Sequence, residues 1–296
     1  MAVTVLKFES ESSPETVMHN EPRCAQLHSG QEAEVLKFLA QRPIHSVFIS
    51  TLIRDNGLVS PYNRGIIYGH RNQMGQLDGV ALIGHATIVE TRTEEAVAAF
   101  AHLAKQSQQT YLIRGERKIV ETFWKYYAEG PEAARLICRE LLFEKAEARP
   151  LVTPVDGLRR ANTEDLDHVL AVNAFLAEEE GGVNPMQRDP VGFRQRTERR
   201  IHQGRIWIWI DQDQPIFKAD VIGDTPEMIY LEGIYVHPQE RLKGHGKRCL
   251  SHLSSILLTR TKSLCLTINQ RKADAAGFYA KLGFDFHSEY ETIYLR

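Results

Sequence analysis

The sequence predicts an α/β (α+β) protein: two domains in tandem, each a mixed twisted sheet flanked by helices. Three observations carry that expectation. A chain of 296 residues is too long for one comfortable core and suits two. In both halves, segments of alternating apolar residues are interleaved with segments of helical apolar spacing. Both halves also end alike, on strand, helix, strand, helix. Tyr111 lies 15 positions before Tyr126, and Leu264 lies 15 before Tyr279, which suggests a duplicated unit.

In order, 29–41 reads as a helix, with Ser29 as N-cap and Val35, Leu36 and Leu39 on one face, ended by Pro43. "HSVFISTLIRDNG" reads as a second helix stopped by Asn56-Gly57, and "SPYNRG" as a turn. "GIIYGHRNQMGQLDGVALIGHATIVE" alternates like a meander of strands. A helix ("TEEAVAAFAHLAKQ"), a strand ("TYLIRG") and a further helix follow. Residues 135–144 read as a strand pair or a strand plus turn. Pro150 and Pro154 flank a link, so the expected units are a tail over 1–22, a first domain over 23–150 and a second over 151–296.

The second half opens with a helix capped by Thr163, with Glu164 and Asp165 in its positive first turn, broken at Gly181-Gly182 and Pro185. A helix over "DPVGFRQRTERRIHQG" precedes a hairpin, "RIWIWIDQDQPIFKADVIG", with its polar turn at Asp211–Gln214. Trp207 and Trp209 share a strand face and read as packing. "PEMIYLEGIYV" is a third strand. A helix to about Arg260, the strand "SLCLTI", the helix "ADAAGFYAKLG" and a last strand region complete the chain.

Composition narrows the function. The chain is 43% hydrophobic and 25% charged, with net charge -2, as an ordinary soluble protein is. Residues 1–150 carry 17 Lys/Arg against 18 Asp/Glu, and the rest 19 against 20, so no basic face calls for nucleic acid. No apolar run approaches the roughly 18 residues of a membrane span. The polar first 20 residues do not read as a secretory signal. Cys24, Cys138, Cys249 and Cys265 form no CxxC pair, so free thiols in a reducing cytoplasm are expected. Twelve scattered histidines lack metal-ligand spacing, and no metal is expected.

The chemistry concentrates in "HPQERLKGHGKRCL", residues 237–250. A strand ends at Val236, and a loop with Arg241-x-x-Gly244-x-Gly246 leads into a helix from about His245. Bare N–H groups and the dipole at a helix start attract anions, and glycines let a phosphate approach. Arg241, Lys243 and Lys247 add positive charge. A dinucleotide fingerprint would want a third glycine where Cys249 stands, and an acid further on that is missing. The P-loop lysine–hydroxyl pair is missing too. The corresponding link in the first half, "HATIVETRTEEA", has no glycine.

"IYLEGIYVHPQERLKGHGKRCLSHL" resembles the acetyl-CoA signature of the GNAT superfamily of N-acetyltransferases, [RQ]-x-x-G-x-[GA], here Arg241-Leu242-Lys243-Gly244-His245-Gly246. "LCLTINQRKADAAGFYAKLGF" resembles the superfamily's next motif at Asn269, Tyr279, Gly283 and Phe284. The resemblance covers roughly residues 156–296, and the first half resembles a degenerate acetyltransferase-like domain of unknown function. It implies that strands near 228–236 and 263–268 splay around the pantetheine arm. Backbone at Ile234, Tyr235 and Val236 would pair with that arm, and an N–H near Tyr235 would polarise the thioester. Amides from Leu242 through Lys243, Gly244, His245 and Gly246 to Lys247 would hold the pyrophosphate. Tyr279 would protonate the thiolate and Asn269 would orient the arm.

The residues themselves nominate a base. Glu232 interrupts an apolar strand, where desolvation would raise its pKa. Solvent exposure or pairing with an arginine are the other readings of Glu232. Glu179 and Glu180, with Glu178, end a helix before a Gly-Gly break and are the second candidates. The resemblance implies that this region borders the acceptor site, where they would bind a cationic amine, and a solvated helix end is the other reading. His237 and His245 flank the loop and read as solvated. "RGERK", 114–118, reads as a solvated helix start.

The leading expectation is therefore an acetyl-CoA-dependent N-acetyltransferase with a small-molecule or peptide amine as acceptor, cytoplasmic, and a monomer or homodimer. An acyl-CoA-binding sensor or scaffold is the alternative. A tandem enzyme drawing on aminoacyl-tRNA is disfavoured by the intact loop and the lack of a basic tract.

Overall fold

A computed structural model describes residues 23–107, 109–128, 134–147, 153–272 and 274–295. The expected N-terminal tail and the expected border at 150/151 lie outside the described residues.

The first half contains β1 (Cys24–Gln26), α1 (Glu32–Leu39), α2 (Pro43–Asn56), β2 (Gly65–Arg71), β3 (Leu77–Gly84), β4 (Ala86–Thr91), α3 (Glu94–Gln106), β5 (Leu112–Glu116), α4 (Arg117–Tyr127) and β6 (Ala134–Lys145). Ser29 does not cap α1. The cap position is Gln31, whose side chain makes no capping bond and turns back to accept from His28 N at 2.8 Å, while Gly30 takes φ +100. Pro43 opens α2 at the position where its missing N–H is harmless. Residues 135–144 belong to one long strand, β6.

The second half contains β7 (Arg159–Arg160), α5 (Leu166–Gly181), α6 (Pro185–Arg188), α7 (Pro190–His202), β8 (Ile206–Asp211), β9 (Gln214–Asp224), β10 (Met228–Val236), α8 (His245–Leu257), β11 (Ser263–Asn269), α9 (Asp274–Lys281) and β12 (Asp285–Leu295). Asn162, not Thr163, caps the helical start: it closes a capping box with Asp165 over a 3-10 turn, and α5 follows. Gln212 and Asp213 both take positive φ in the β8–β9 turn, the geometry that matches strand twist in a tight hairpin.

Both halves are mixed sheets flanked by helices, and they are joined into one sheet of 12 described strands, ordered β1-β2-β3-β4-β5-β12-β6-β11-β10-β9-β8-β7. The junction is an exchange. β6, the last strand of the first half, pairs with β11 of the second, from Leu264↔Lys145 to Asn269↔Glu140. β12, the last strand of the second half, pairs with β5 from Tyr290↔Glu116 to Tyr294↔Leu112, and with β6 along its length.

Alternating burial on these strands gives each half its own core. Phe217, Leu250, Leu253, Leu257 and Phe284 fill the space between α8 and the second-half strands. Phe100, Phe123 and Ile293 do so under α3 and α4. Each fully buried side chain of this kind contributes about 1.5–3 kcal/mol. Ile293 lies on β12, so the first-half core includes a residue of the exchanged strand. Trp207 is buried and Trp209 packs beside the second-half core, as their shared face predicts.

Candidate active site

β10 and β11 run parallel and pair from Met228↔Ser263 to Leu231↔Leu266. Past that point they part: β10 continues along β9, and β11 along β6. The departure coincides with a register shift in β10 between Glu232 and Tyr235, where Gly233 takes φ +58. A bulge of this kind bends its strand. Lys218, fully buried on β9, sits behind the bulge. Its ammonium meets Asp220 at 2.8 Å, donates to the Gly233 carbonyl at 3.3 Å and donates to the Asn173 side chain. A Cβ on Gly233 would lie 2.8 Å from that nitrogen. The cleft leaves the stretch from Ile234 through Tyr235 to Val236 without a β11 partner.

Beyond Val236 the chain makes a short 3-10 turn and reaches α8. Gly244 caps α8 at φ +85, and a Cβ there would touch nothing within 4 Å. Glycine is wanted there for the left-handed turn, not for space. Gly246 is the reverse case: a Cβ would lie 3.1 Å from Val236 Cγ2, so glycine lets α8 press against β10. Leu242 also takes a left-handed φ, +64, with its side chain in solvent. Arg241 Nε donates to the Val236 carbonyl at 3.3 Å, and Lys243 and His245 both meet Glu240, at 2.8 and 3.3 Å. Lys247 is exposed on the first turn.

No side chain caps α8, so its first-turn N–H groups await an outside acceptor. The equivalent helix of the first half is closed. Thr93 Oγ1 accepts from Ala96 N at 3.3 Å, and Glu94 and Glu95 oppose any anion there. The contrast between the two loops read from sequence is therefore a contrast between an open and a capped helix start.

The cleft opens on a cavity of about 730 Å³ lined from both halves. At its centre is Arg114 of β5, whose side chain is only 19% exposed. Its guanidinium meets Glu232 at 3.0 Å, Glu140 at 3.1 Å and Thr267 at 2.6 Å, and also donates to the Tyr230 hydroxyl. Glu140 accepts further from Thr267 at 3.0 Å and Thr292 at 2.6 Å. The sequence reading of 114–118 as a solvated helix start fails at Arg114: it points from a strand into the cavity, and the helix starts at Arg117.

Glu232, Glu180, Tyr279, Asn269 and Ile234 all line this cavity, although they come from four elements. The two carboxylates differ. Glu232 is held by Arg114, the pairing its strand position left open. Glu180, at the end of α5, lines the cavity with its side chain still exposed on the cavity side. Burial, then the charge of Glu232, pushes its carboxyl up to about 7. Burial, then the charge of Glu180, pushes the Tyr279 phenol up to about 12, so it keeps its proton at neutral pH. Asn269 ends β11, and its Oδ1 accepts from Arg271 N at 2.9 Å.

The other expected residues lie elsewhere. Glu179 points to the rim, 3.7 Å from Lys272, and Glu178 accepts from Asn184 at 3.0 Å. The loop from Arg241 to Lys247 lies outside the cavity, on the α8 side of the cleft. Tyr235 lines a second recess with Phe175, His168 and His237. Sequence reasoning missed Arg114, Glu140, Tyr230 and Thr267. The one available signal was a charge inside an apolar strand, "YLIRG", the same signal that singled out Glu232.

Known proteins are similar to this chain in sequence or fold. Residues 202–285 match the family described as "Acetyltransferase (GNAT) domain". The peptidyl-lysine N-acetyltransferase YjaB of Salmonella typhimurium is 27% identical over 85 residues, 28% of this chain and 52% of that protein. The chain thus spans about half the length of that curated relative. Among solved structures, a Drosophila protein aligns over 93% of this chain and 98% of its own, with a TM-score of 0.66 at 11% identity. A tandem GNAT protein from the clavulanic acid biosynthesis pathway aligns over 91% and 97%, with a TM-score of 0.57 at 12% identity. A GNAT-family acetyltransferase from Colwellia psychrerythraea aligns over 92% and 99%, with a TM-score of 0.51 at 14% identity. At these identities the likeness is one of fold. The open cradle therefore lies within the segment, residues 202–285, that matches the GNAT domain family, in a chain with the fold of a tandem GNAT protein.

Proposed function

We propose that the protein is an acetyl-CoA-dependent N-acetyltransferase that moves an acetyl group to a primary amine in a ternary complex. The observation that carries this reading is the placing of three features along β10. An uncapped, glycine-turned helix start stands beside a strand pair that splays at Leu231/Leu266, and the cleft leads to a cavity with a near-neutral carboxyl.

The residues fit the donor. Backbone N–H groups from Leu242 to Lys247 and the Arg241 side chain would hold a pyrophosphate. The edge of Ile234, Tyr235 and Val236 that faces away from β9 and has no β11 partner would take an extended pantetheine arm as an added strand. Acetyl-CoA supplies the thioester. The amine nitrogen forms its bond to the thioester carbonyl as the carbon–sulfur bond breaks, with an N–H near Tyr235 aimed at the carbonyl oxygen. Glu180 takes the proton from the amine, and Tyr279 gives its proton to the departing thiolate. Glu232 then acts through its neighbours, since its charge holds Glu180 near neutrality and balances Arg114. Asn269 orients the arm, and Glu179 at the rim attracts a cationic acceptor.

A screen of amines with acetyl-CoA, read by release of free thiol, tests this. Saturable release with some small amine or peptide is expected, abolished in Gly244→Asp, whose carboxylate would occupy the anion cradle on an already left-handed residue. An unchanged melting temperature guards against misfolding of the variant. A wild-type protein that binds acetyl-CoA but acetylates no amine would instead be a cofactor-binding sensor, and release that survives Gly244→Asp would sink the cradle.

A further inference from the structure

One wall of the cavity takes no part in the chemistry above. Guanidiniums gather on it from both halves: Arg64 just before β2, Arg188 at the end of α6, and Arg196 on α7. Arg188 lies 4.1 Å over the ring of Tyr111, which stacks on His85 at 5.0 Å. Arg135 of β6 adds a fourth cation, donating to the Tyr111 hydroxyl at 3.3 Å. The one carboxylate among them, Asp189, is 2.9 Å from Arg196. Among the described residues, neither Arg64 nor Arg188 makes an ion pair with a carboxylate, although the charge of Asp189 reaches Arg64. Burial, then the charges of Arg64, Arg188 and Arg196, pushes His85 down to about 4, so it adds no charge of its own at neutral pH.

Unpaired guanidiniums around an aromatic wall, inside a recess, receive anions. Their planar forks match a carboxylate or a phosphate. The opposite side of the cavity is acidic. Tyr111, under Arg188, and Arg114 are three residues apart along one chain segment, roughly 10 Å of backbone at strand rise, and Arg64, Arg188, Arg114 and Glu232 all line the same cavity. A single small molecule can reach both sides.

We propose that the acceptor carries an anionic group as well as its amine: Arg64 and Arg188 hold a carboxylate or phosphate while the amine lies at Glu180 and Glu232. The acceptor class is then an amino acid, a short peptide or an aminoalkyl phosphate, not a plain alkylamine or a polyamine. This inference rests on the reading of the cavity as the acceptor site.

The test compares kcat/KM with acetyl-CoA for three matched series: ω-amino acids of increasing length, their decarboxylated amines, and the corresponding aminoalkyl phosphates. An anionic series should exceed the plain amines by about tenfold or more, and the larger of the two preferences names the group. The double variant Arg64→Ala/Arg188→Ala should erase that preference, with the acceptor KM rising about 10- to 100-fold. Both side chains are exposed, so the fold should persist, which a melting scan checks. Plain amines that match both anionic series would overturn the inference. A loss seen in the KM for acetyl-CoA would do the same, because the arginines would then hold the donor. If no series turns over, the transferase reading fails on its own. Calorimetric titration of the coenzyme A-loaded protein with the same series then decides: anion-selective binding lost in the double variant supports the inference, and binding without that selectivity overturns it.

Discussion

Glu180→Gln is expected to lower kcat by about 10²- to 10⁴-fold, the usual contribution of a positioned base. The pH dependence gives the sharper test. The Glu180 carboxyl is raised to about 7 in the fold, so its basic form is lost as pH falls through that value. Wild-type kcat/KM should therefore fall on the acid side of about 7, and Glu180→Gln should lose that limb. Glu232→Gln should behave differently. The Glu232 charge is one of the causes that raise Glu180, so removing it moves the limb to lower pH and leaves activity at neutrality. Should Glu232→Gln lose as much rate as Glu180→Gln, with no displaced limb, the base is Glu232, as its place in an apolar strand suggested.

Arg114→Met should destabilise the protein by about 3–5 kcal/mol, read from chemical denaturation. The magnitude follows from what the guanidinium touches. Glu140 and Glu232 both lie within 3.1 Å of it, and Thr267 and Tyr230 complete its shell. Without it, Glu140, only 14% exposed, and the more open Glu232 are left with no cation between them. Adding Glu140→Gln to Arg114→Met should recover part of the loss, because one unpaired charge is then gone. A loss below about 1 kcal/mol would place Arg114 with ordinary surface pairs and would refute this view of the cavity floor.

The features legible in the sequence were those set by neighbouring residues. Gly244 and Gly246 mark a backbone turn and a close approach that a local stretch decides. Thr93, Glu94 and Glu95 show in the same local way why the first-half helix is closed. The hairpin at Gln212–Asp213 and the break at Gly182 are also local. The cavity floor was not legible, because its members meet only through the sheet. Arg114 and Glu232 are 118 residues apart, and Thr292 and Glu140 are 152 apart. Glu180 was readable as an acid near a helix end, but its raised pKa depends on Glu232 and the surrounding wall. The strand exchange left no trace in the alternation pattern either: β6 and β12 have the makeup of ordinary terminal strands, and nothing in their residues says which half each joins.

That exchange sets an order on how the protein can be made. Arg117 and Glu289 meet at 2.9 Å across the β5–β12 junction, yet are 172 residues apart in sequence. At ribosomal rates of about 5–20 residues per second, the first half waits roughly 10–30 s for its missing neighbour. Throughout that interval β5 presents an unpaired edge, and the core under α3 and α4 lacks Ile293. An open edge is a template for any strand, including β12 of another nascent copy. The first half is synthesised first, but it can finish folding only after the eleven residues of β12 have emerged.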